Sequence, residues 1–513
     1  MTVEKTVDRR PQRKTRGRLS TPEALACFSV ALLIRVAFAA LHDFDGAYGQ
    51  DAWAYIERAF RLRATGFALQ PFDPGYTLPV LFAFMIASMM AVVGPVVGAG
   101  QAVAIVAGSL TAPIMAALTR ALFPRAHRSA AWIAAGLVAF SGQHVTWSIA
   151  AMSDAPAALF VAVSMLALAR AQRPETFGRW MVLAGLALGV AWSTRWSYVA
   201  VAPAFAAAWI IAARAVNALA PGHYRRAGLA VLAGIVACLP QLIITLRHPK
   251  GLGIGWSGDW SPLNFVVRSF YFAEGQYDYT LPMGVYYALP AIHPGWMSPV
   301  VGLCGIWGLH SVWKKRAMVR DQVALALCAG GAACSWLMLA GMPHQNFRYG
   351  MQIWLPLVPL VALGVSRIGK LTAGKRRLAL VGVGLSCCVL LVWTVRSPAQ
   401  LVAIAHGHRD AALALTKDLP ADARIWALGP TATLQNRTAR DVVELFRRKP
   451  SDVANALASP RPLYTLFDPA AAARWRHGDL PRTLAALQRS RVDDIAVNPP
   501  WTLRRYTPPR SNR

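Results

Sequence analysis

The segment ALACFSVALLIRVAFAAL, residues 24–41, contains one charged residue, Arg35, in eighteen positions. A helix that crosses the hydrocarbon core of a bilayer needs roughly 20 predominantly apolar residues, so this run is almost long enough by itself. Similar runs recur as far as residue 395, and the chain of 513 residues is 55% hydrophobic and 15% charged. An ordinary soluble protein carries about 25% charged residues. The sequence therefore predicts an all-α polytopic membrane protein.

Eleven apolar runs are predicted to be transmembrane helices. They are residues 24–41, 95–119, 130–148, 155–169, 180–194, 197–213, 227–245, 297–313, 322–342, 350–366 and 378–395. A further run, 77–93, is apolar enough to span, but counting it would reverse the side of every later loop. We therefore expect 77–93 to be a helix that lies at the outer interface or dips into it. The alternative is a true span with a second irregularity elsewhere.

The basic residues are distributed according to membrane topology. The chain has 53 Lys and Arg against 24 Asp and Glu, a formal net charge of +29. Five basic clusters fall between the predicted spans, on the same side as the basic N-terminus; they begin at Arg120, Arg170, Arg214, Lys314 and Arg367. The positive-inside rule places this side in the cytoplasm and the C-terminus outside, which predicts a multi-pass protein of the cell's inner (plasma) membrane. Topology explains the charge better than nucleic-acid binding does.

Three regions of the chain differ in composition. Residues 1–23 are predicted to be a disordered basic cytoplasmic tail and 24–395 the transmembrane domain. Residues 396–513 lose the long apolar runs and alternate strand-like with helical stretches, which predicts a small soluble extracytoplasmic α/β domain. The strand-like pieces are 423–429, 461–467 and 493–497. All seven cysteines lie in apolar runs without metal-ligand spacing, which favours packing over disulfide or zinc chemistry.

The stretch FDGAYGQDAWAYIERAF, residues 44–60, follows the first span and is unusually acidic for this chain. Acidic groups at an apolar boundary are costly unless they are solvated, paired or used. Asp51 lies in a helix-compatible run, in which Tyr55 and Arg58 would share its face. Taken singly, each acid, including Glu57, is explained better as a solvated loop carboxylate.

Other polar residues fall in the external regions. Asp154 lies in a short turn between two spans, and the long segment 246–296 contains Lys250, Asp259, Arg268, Glu274, Asp278 and His293. Arg35 is predicted either to snorkel to the interface or to pair with a loop carboxylate.

Three external residues could bind an anion. His344 and Arg348 are four positions apart and could share a helical face, and Arg195 lies in an external turn against the positive-inside trend. Arginine binds phosphate in a bidentate way, and histidine can donate to it or shuttle a proton. The alternative for the pair is anchoring of a helix end at the headgroups. Carboxylates and cations on one face suit a lipid-linked phosphate sugar, because cations neutralise the leaving phosphate while a carboxylate deprotonates the acceptor.

This pattern resembles the GT-C superfamily of membrane glycosyltransferases, which use polyprenyl- or dolichyl-phosphate-linked sugars. The stretch GQDAWAYIERAFRLRATGF at 49–67 resembles the family's acidic stretch, with Asp51 in the place of the catalytic aspartate. SDAP at 153–156 resembles its second acidic site, and TRWSYVAVAP at 194–203 resembles an arginine-containing turn. The fold expected from the resemblance has about 11 transmembrane helices and interfacial helices in the first external loop.

Within the superfamily, the chain looks most similar to the lipid-linked mannosyltransferases. The spacing of their acidic motif is followed here by Asp51, the triplet 57–59 and Gly66. Their later motifs are resembled by SPLNFV at 261–266 and HQNFRYGMQIWLPLVPL at 344–360. The sequence departs from the pattern in two places that put mannose in doubt. Those departures are Ala52, and Gln345 with Asn346.

The resemblance implies an inverting glycosyltransferase with Asp51 as general base and Asp154 as a second catalytic residue. The residues expected at the donor phosphate or substrate are Arg348, His344, Arg195, Tyr55 and Glu57. The donor would be a polyprenyl-phosphate sugar and the acceptor a glycan, lipid or protein, with no nucleic acid involved. No cofactor is required, and a divalent metal is possible without being predicted. The alternatives are a transporter or flippase of lipid-linked sugars and a non-catalytic polysaccharide assembly subunit.

Overall fold

The computed structural model describes residues 19–68, 78–216, 224–247, 259–272, 275–476 and 478–508. The predicted tail up to residue 18, Lys250 and Glu274 lie outside the described residues.

Ten α-helices lie in the described part of the first half of the chain. They are α1 Thr21–Leu41, α2 Gly49–Ala64, α3 Val80–Val93, α4 Gly98–Leu122, α5 Ser129–Phe140, α6 Gly142–Ile149, α7 Asp154–Arg170, α8 Pro174–Thr194, α9 Ala202–Ala215 and α10 Tyr224–Arg247. The second half of the helical region contains a hairpin, β1 Ser269–Phe272 and β2 Gly275–Asp278, followed by six helices. These helices are α11 Met283–Ala288, α12 Pro299–Trp313, α13 Val319–Ala324, α14 Gly331–Ala340, α15 Met351–Ser366 and α16 Ala373–Thr416.

All eleven predicted apolar runs fall on helices, several of which are extended or broken. Six described helices are long and apolar enough to cross a bilayer, and α6 with α7, bent by 117°, would make a seventh. The chain is thus a multi-pass membrane protein, while the number of eleven spans stays a prediction. The helix α3 has 14 residues, about 21 Å at 1.5 Å per residue, which is short for a span and suits the predicted interfacial position.

Small residues allow the long helices to approach closely. A Cβ at Gly185 on α8 would lie 2.0 Å from the Ala230 carbonyl oxygen on α10, and one at Gly364 on α15 would lie 1.8 Å from the Cys304 carbonyl oxygen on α12. Backbones this close gain van der Waals contact that lipid tails do not supply, as is typical of helix pairs in membranes.

The C-terminal region is a small domain built around a mixed sheet, as predicted. Its strands are β3 Arg424–Leu428, β4 Asp441–Glu444, β5 Leu463–Phe467, β6 Arg491–Asn498 and β7 Trp501–Thr507, and its helices are α17 Thr431–Arg437, α18 Pro450–Ala458, α19 Pro469–Ala473 and α20 Asp479–Gln488. The strand order is β4-β3-β5-β7-β6, with β3 parallel to both neighbours and β7 antiparallel to both of its own. The predicted division at residue 396 falls inside α16, which continues from the bundle to the domain.

Candidate active site

The loop after α1 turns back toward the start of α7 at Gly46, which is closely packed against its neighbours. Gly46 has a φ of +85°, and a Cβ there would lie 2.6 Å from the Cβ of Gln101. The Gly46 carbonyl accepts a hydrogen bond from the Ala151 amide at 2.8 Å. The side-chain amide of Gln101 donates to the Phe44 carbonyl at 2.6 Å and to the Ile149 carbonyl at 3.0 Å. These bonds hold the start of α2 beside the start of α7.

Asp51 forms an ion pair with Arg348, 297 residues away in sequence. It lies in the first turn of α2, where free N–H groups favour a carboxylate. Nη2 of Arg348 donates to Oδ2 of Asp51 at 2.6 Å. The Asp51 side chain is 31% exposed and that of Arg348 is 11% exposed. A ligand that reaches the carboxylate therefore also reaches the guanidinium.

A second ion pair joins Arg195, which ends α8, to Asp154, the first residue of α7. Nη1 of Arg195 donates to Oδ2 of Asp154 at 3.0 Å and to Oγ of Ser153 at 3.2 Å. Tyr55 donates its hydroxyl hydrogen to the same Ser153 oxygen at 3.1 Å. Burial raises the pKa of Tyr55 to about 12 against the opposing charge of Arg195, so the phenol stays protonated. Asp154 is 2% exposed, and its carboxylate holds Arg195 instead of facing solvent.

The ring of Tyr349 connects the two ion pairs. Cζ of Arg195 lies 4.8 Å from the ring centroid and Cζ of Arg348 lies 5.3 Å from it. Cations at these distances are attracted to the negative face of an aromatic ring. Four of the predicted residues, Asp51, Arg348, Asp154 and Arg195, thus belong to one cluster.

His344 precedes the short 3-10 turn Phe347–Gly350, so the expectation that it shares a helical face with Arg348 is wrong. Its carbonyl accepts a hydrogen bond from the Tyr287 hydroxyl at 2.5 Å. Burial, and then the charge of Arg348, lower the pKa of His344 to about 4, while Asp51 opposes the shift. The imidazole is therefore neutral at pH 7 and can donate or accept a hydrogen bond without carrying charge.

Gln345 and Asn346, two of the three residues that depart from the mannosyltransferase pattern, hold this loop in place. Nε2 of Gln345 donates to the Leu281 carbonyl at 2.6 Å. Oδ1 of Asn346 accepts from the Arg348 amide at 3.2 Å, and the Asn346 amide donates to the Tyr287 hydroxyl at 3.2 Å. Both side chains fix the backbone that presents Arg348.

Glu57 points away from the cluster, toward the C-terminal domain. Its Oε1 accepts a hydrogen bond from Nδ2 of Asn436 on α17 at 3.4 Å. Asp45 and Arg437 form an ion pair across the same contact. The structure does not bring Glu57 together with the other predicted substrate residues, and it packs the C-terminal domain on the helix that carries Asp51.

Both predictions for Arg35 are wrong, because its side chain is fully buried and pairs with no carboxylate among the described residues. Nη1 donates to the Ala31 carbonyl at 2.8 Å, and Nη2 lies 3.3 Å from the Val138 carbonyl oxygen and 2.7 Å from Nδ1 of His144. Neutral acceptors from α1, α5 and α6 surround the guanidinium, since these helices enclose it before it can reach the interface.

Sequence reasoning missed four residues near the predicted ones. Ser153 and Tyr349 are the chain neighbours of predicted residues, so adjacency was an available signal. Tyr48 precedes α2, and burial raises its pKa while the nearby charge of Arg348 opposes the rise. His144 carried no signal, because a histidine in an apolar run is ordinarily a packing residue.

No three His, Cys, Asp or Glu side chains lie close enough to hold a metal ion in the part of the chain that the structure describes. The positive charge beside Asp51 comes from Arg348.

Residues 79–239 match the family described as dolichyl-phosphate-mannose-protein mannosyltransferase. No curated protein sequence matches the chain. The structure is similar to that of ArnT from Cupriavidus metallidurans bound to undecaprenyl phosphate, with a TM-score of 0.63 at 13% identity, covering 95% of this chain and 98% of that one. It is also similar to the oligosaccharyltransferase of Archaeoglobus fulgidus. The apo form gives a TM-score of 0.56 at 13% identity, covering 90% of this chain and 72% of that one.

A further structure of the archaeal enzyme, AglB in complex with an inhibitory peptide and a dolichol-phosphate, gives a TM-score of 0.55 at 14% identity, covering 90% of this chain and 72% of that one. At these identities the likeness concerns the fold. The chain has the fold of the GT-C membrane glycosyltransferases, which confirms the resemblance predicted from the sequence.

Proposed function

We propose that the protein is an inverting glycosyltransferase that moves a sugar from a polyprenyl-phosphate donor to an acceptor hydroxyl at the extracytoplasmic membrane face. The observation that carries the proposal is the contact of Asp51 with Arg348 at 2.6 Å on a GT-C fold. One side chain is a partly exposed carboxylate that can accept a proton. The other is a guanidinium that can hold a phosphate.

The donor class is supported by both kinds of comparison. ArnT was solved with undecaprenyl phosphate and AglB with a dolichol-phosphate, and the matching family is named for a dolichyl-phosphate-mannose donor. Mannose is accordingly the first sugar to test, although Ala52, Gln345 and Asn346 depart from the mannosyltransferase pattern. The acceptor is a glycan, lipid or protein hydroxyl.

Arg348 is the proposed phosphate ligand. Its Nε is buried and has no hydrogen-bond partner among the described residues, so it has a donor left for an anion. A phosphate competes with the Asp51 carboxylate for the guanidinium, because both are anions that arginine binds through its planar fork. His344, neutral at pH 7, would add a hydrogen bond to the phosphate.

Phosphate binding at Arg348 would prepare Asp51 for its role as base. A carboxylate is less basic while it is paired with a cation, so its basicity rises when the phosphate takes over the arginine. The acceptor oxygen then attacks the anomeric carbon as its proton passes to Asp51. The bond between that carbon and the phosphate oxygen breaks on the opposite side, which inverts the configuration and leaves the polyprenyl phosphate with the bonding electrons. Arg348 stabilises the charge that develops on it.

Asp154 acts through Arg195 in this proposal. It is nearly fully buried, so it positions the arginine, whose guanidinium contacts the same Tyr349 ring as Arg348. Arg195 would assist phosphate binding through its charge. Tyr55 would keep Ser153 oriented toward Arg195.

In the proposed orientation the protein spans the inner membrane, with its N-terminus in the cytoplasm and its C-terminal domain on the extracytoplasmic side. It is supported by the contact of α17 with α2, which puts the domain at the same end of the bundle as Asp51. Reporter fusions after residues 45, 125 and 420 test it. An external signal at 45 and 420 with a cytoplasmic one at 125 is expected, and the reverse pattern would overturn the orientation.

The function is tested with purified full-length protein, a panel of polyprenyl-phosphate sugars beginning with mannose, and an Asp51→Asn variant. Removing a general base lowers the rate by about 10² to 10⁴-fold. Asp43→Asn is the matched control, because Asp43 is an exposed carboxylate in the loop that precedes α2. Transfer close to wild type in Asp51→Asn would refute the role of Asp51. Transport of an intact lipid-linked sugar without transfer would favour a flippase.

A further inference from the structure

A basic basin lies at the end of the helix bundle opposite Asp51. The helix α15 connects the two ends, with Arg348 just before it and Arg367 just after it. Arg367 follows Arg348 by nineteen positions, about 28 Å at 1.5 Å per residue, which is close to the roughly 30 Å thickness of the hydrocarbon core. The basin therefore belongs to the other membrane interface and takes no part in the proposed transfer.

Three separate chain segments form the basin, which has a volume of about 370 Å³. They are the loop after α4, the stretch from the end of α12 to the start of α13, and the turn after α15. Its floor is apolar and buried, with Leu122, Val312 and Leu363 between 1% and 4% exposed. Cationic side chains from all three segments line its walls. They are Arg125, Lys315, Arg320, Arg367 and Lys370.

These five cations are not neutralised within the described part of the chain. Asp321 is the one carboxylate among the described residues that line the basin, which leaves a surplus of four positive charges. None of the five cations takes part in an ion pair among the described residues, and the one contact recorded for Arg125 is with Sδ of Met318, at 3.5 Å. Asp321 is 7% exposed, and its Oδ2 has no hydrogen-bond partner in the described ranges.

The positive-inside rule explains why cations occur at this end of the bundle. It does not explain why three separate segments bring them together around one cavity. Arg376 and Arg377, at the start of α16, show the ordinary arrangement, because they line no part of the basin. Convergent cations over an apolar floor, at the depth of the headgroups, are the arrangement that binds anionic lipid headgroups between transmembrane helices.

We propose that this basin is a binding site for a phosphate group, in which Arg320, Arg367 and Lys370 hold the oxygens and the apolar floor accepts the adjoining hydrocarbon. The phosphate belongs either to an anionic phospholipid or to a soluble compound. The site is independent of the glycosyl transfer proposed for the opposite end.

The test compares three variants of the purified full-length protein. The basin variant is Arg367→Gln with Lys370→Gln, and the matched control is Arg376→Gln with Arg377→Gln, which removes the same charge from the same face. The third variant is Asp321→Asn, which removes the negative charge from the basin floor with little change of shape. Retained folding is checked for each by thermal unfolding.

Binding of phosphatidylglycerol and of phosphatidylcholine is measured by native mass spectrometry, and binding of inorganic phosphate by calorimetry. A cation that contacts the headgroup contributes about fivefold to the binding of an anionic lipid, so the basin variant should bind phosphatidylglycerol about 30-fold more weakly, with little change in the control, whose arginines lie outside the basin. Asp321→Asn should bind it more tightly, an effect that damage to the fold cannot imitate.

Binding of phosphatidylglycerol without inorganic phosphate identifies a lipid headgroup, and binding of inorganic phosphate that the basin variant loses identifies a soluble ligand. Equal weakening in the basin variant and the control would overturn the proposal, because it would mean that diffuse surface charge attracts the anion. Absence of any preference for phosphatidylglycerol over phosphatidylcholine, together with no phosphate binding, would also overturn it.

Discussion

The pairs Asp51–Arg348 and Asp154–Arg195 have the same chemistry and lie against the same tyrosine ring, yet their surroundings differ. The Asp154 carboxylate is 2% exposed and that of Asp51 is 31% exposed. A buried ion pair resists separation, because removing one partner leaves an unpaired charge in a poorly solvated place. A partly exposed carboxylate can exchange its partner for water or a ligand. The buried pair therefore suits a structural role and the exposed one suits chemistry.

The largest expected effect is the loss of stability in Asp154→Asn. Breaking a buried pair from one side costs about 3–5 kcal/mol, because Arg195, 10% exposed at the side chain, loses its carboxylate. Thermal unfolding of the purified protein measures the loss, with Asp43→Asn as the control. A double variant, Asp154→Leu with Arg195→Met, should recover most of it. A cost below 1 kcal/mol in Asp154→Asn would remove the distinction between the pairs.

Arg348→Gln should separate function from stability. The Asp51 carboxylate left behind can be solvated, so the free energy of unfolding should fall by only about 1 kcal/mol, as for exposed pairs. Transfer should fall by about 10² to 10³-fold, the loss typical of one electrostatic donor to a developing charge. Arg348→Lys should be intermediate, because it keeps the charge but loses the planar fork. Unchanged transfer in Arg348→Gln would contradict the phosphate role.

The pH dependence of stability tests the burial of His344. Its pKa is lowered to about 4 in the folded protein, from about 6.5 in an unfolded chain. Between these values the unfolded state binds a proton that the folded state does not, so the free energy of unfolding falls as the pH is lowered from 6.5 to 4. His344→Gln should show a flatter decline over this window than wild type. Parallel curves for His344→Gln and wild type would refute the burial effect.

The smallest effect is expected for a third pair, Asp45 with Arg437, which joins the first loop to α17. Its side chains are 27% and 36% exposed, and exposed pairs contribute about 0–1 kcal/mol. Arg437→Gln should therefore cost less than 1 kcal/mol in chemical or thermal unfolding. The difference should shrink at 0.5 M salt, since screening weakens exposed pairs. A cost comparable to that of Asp154→Asn would mean that exposure does not rank these pairs.

Much of the site was predictable, although its geometry was not. Asp51, Asp154, Arg195 and Arg348 were recognised because charges are rare at apolar boundaries. Their pairing was not recognised, because it depends on contacts over long sequence separations, such as that between Gly46 and Ala151. Glu57 shares a helix with Asp51, but the docking of α17 gives it a partner in the C-terminal domain. That partner lies 379 positions away in the sequence.

Arg35 shows the same limit inside the membrane. The position of Arg35 in the first span was evident from the sequence, but two of its hydrogen-bond partners come from two other helices. Reasoning from the neighbouring sequence therefore predicted only contact with water at the interface or pairing with a loop carboxylate.

The sequence by itself determined the membrane class, the helical runs, the small C-terminal α/β domain and the GT-C resemblance, because hydrophobic length and charge distribution are local properties of the chain. Only the tertiary structure decided which aspartate is buried and which is accessible. It also decided which cations pair with a carboxylate and which line the basin with the apolar floor. Burial and ion pairing depend on the side chains that distant segments bring within a few ångströms.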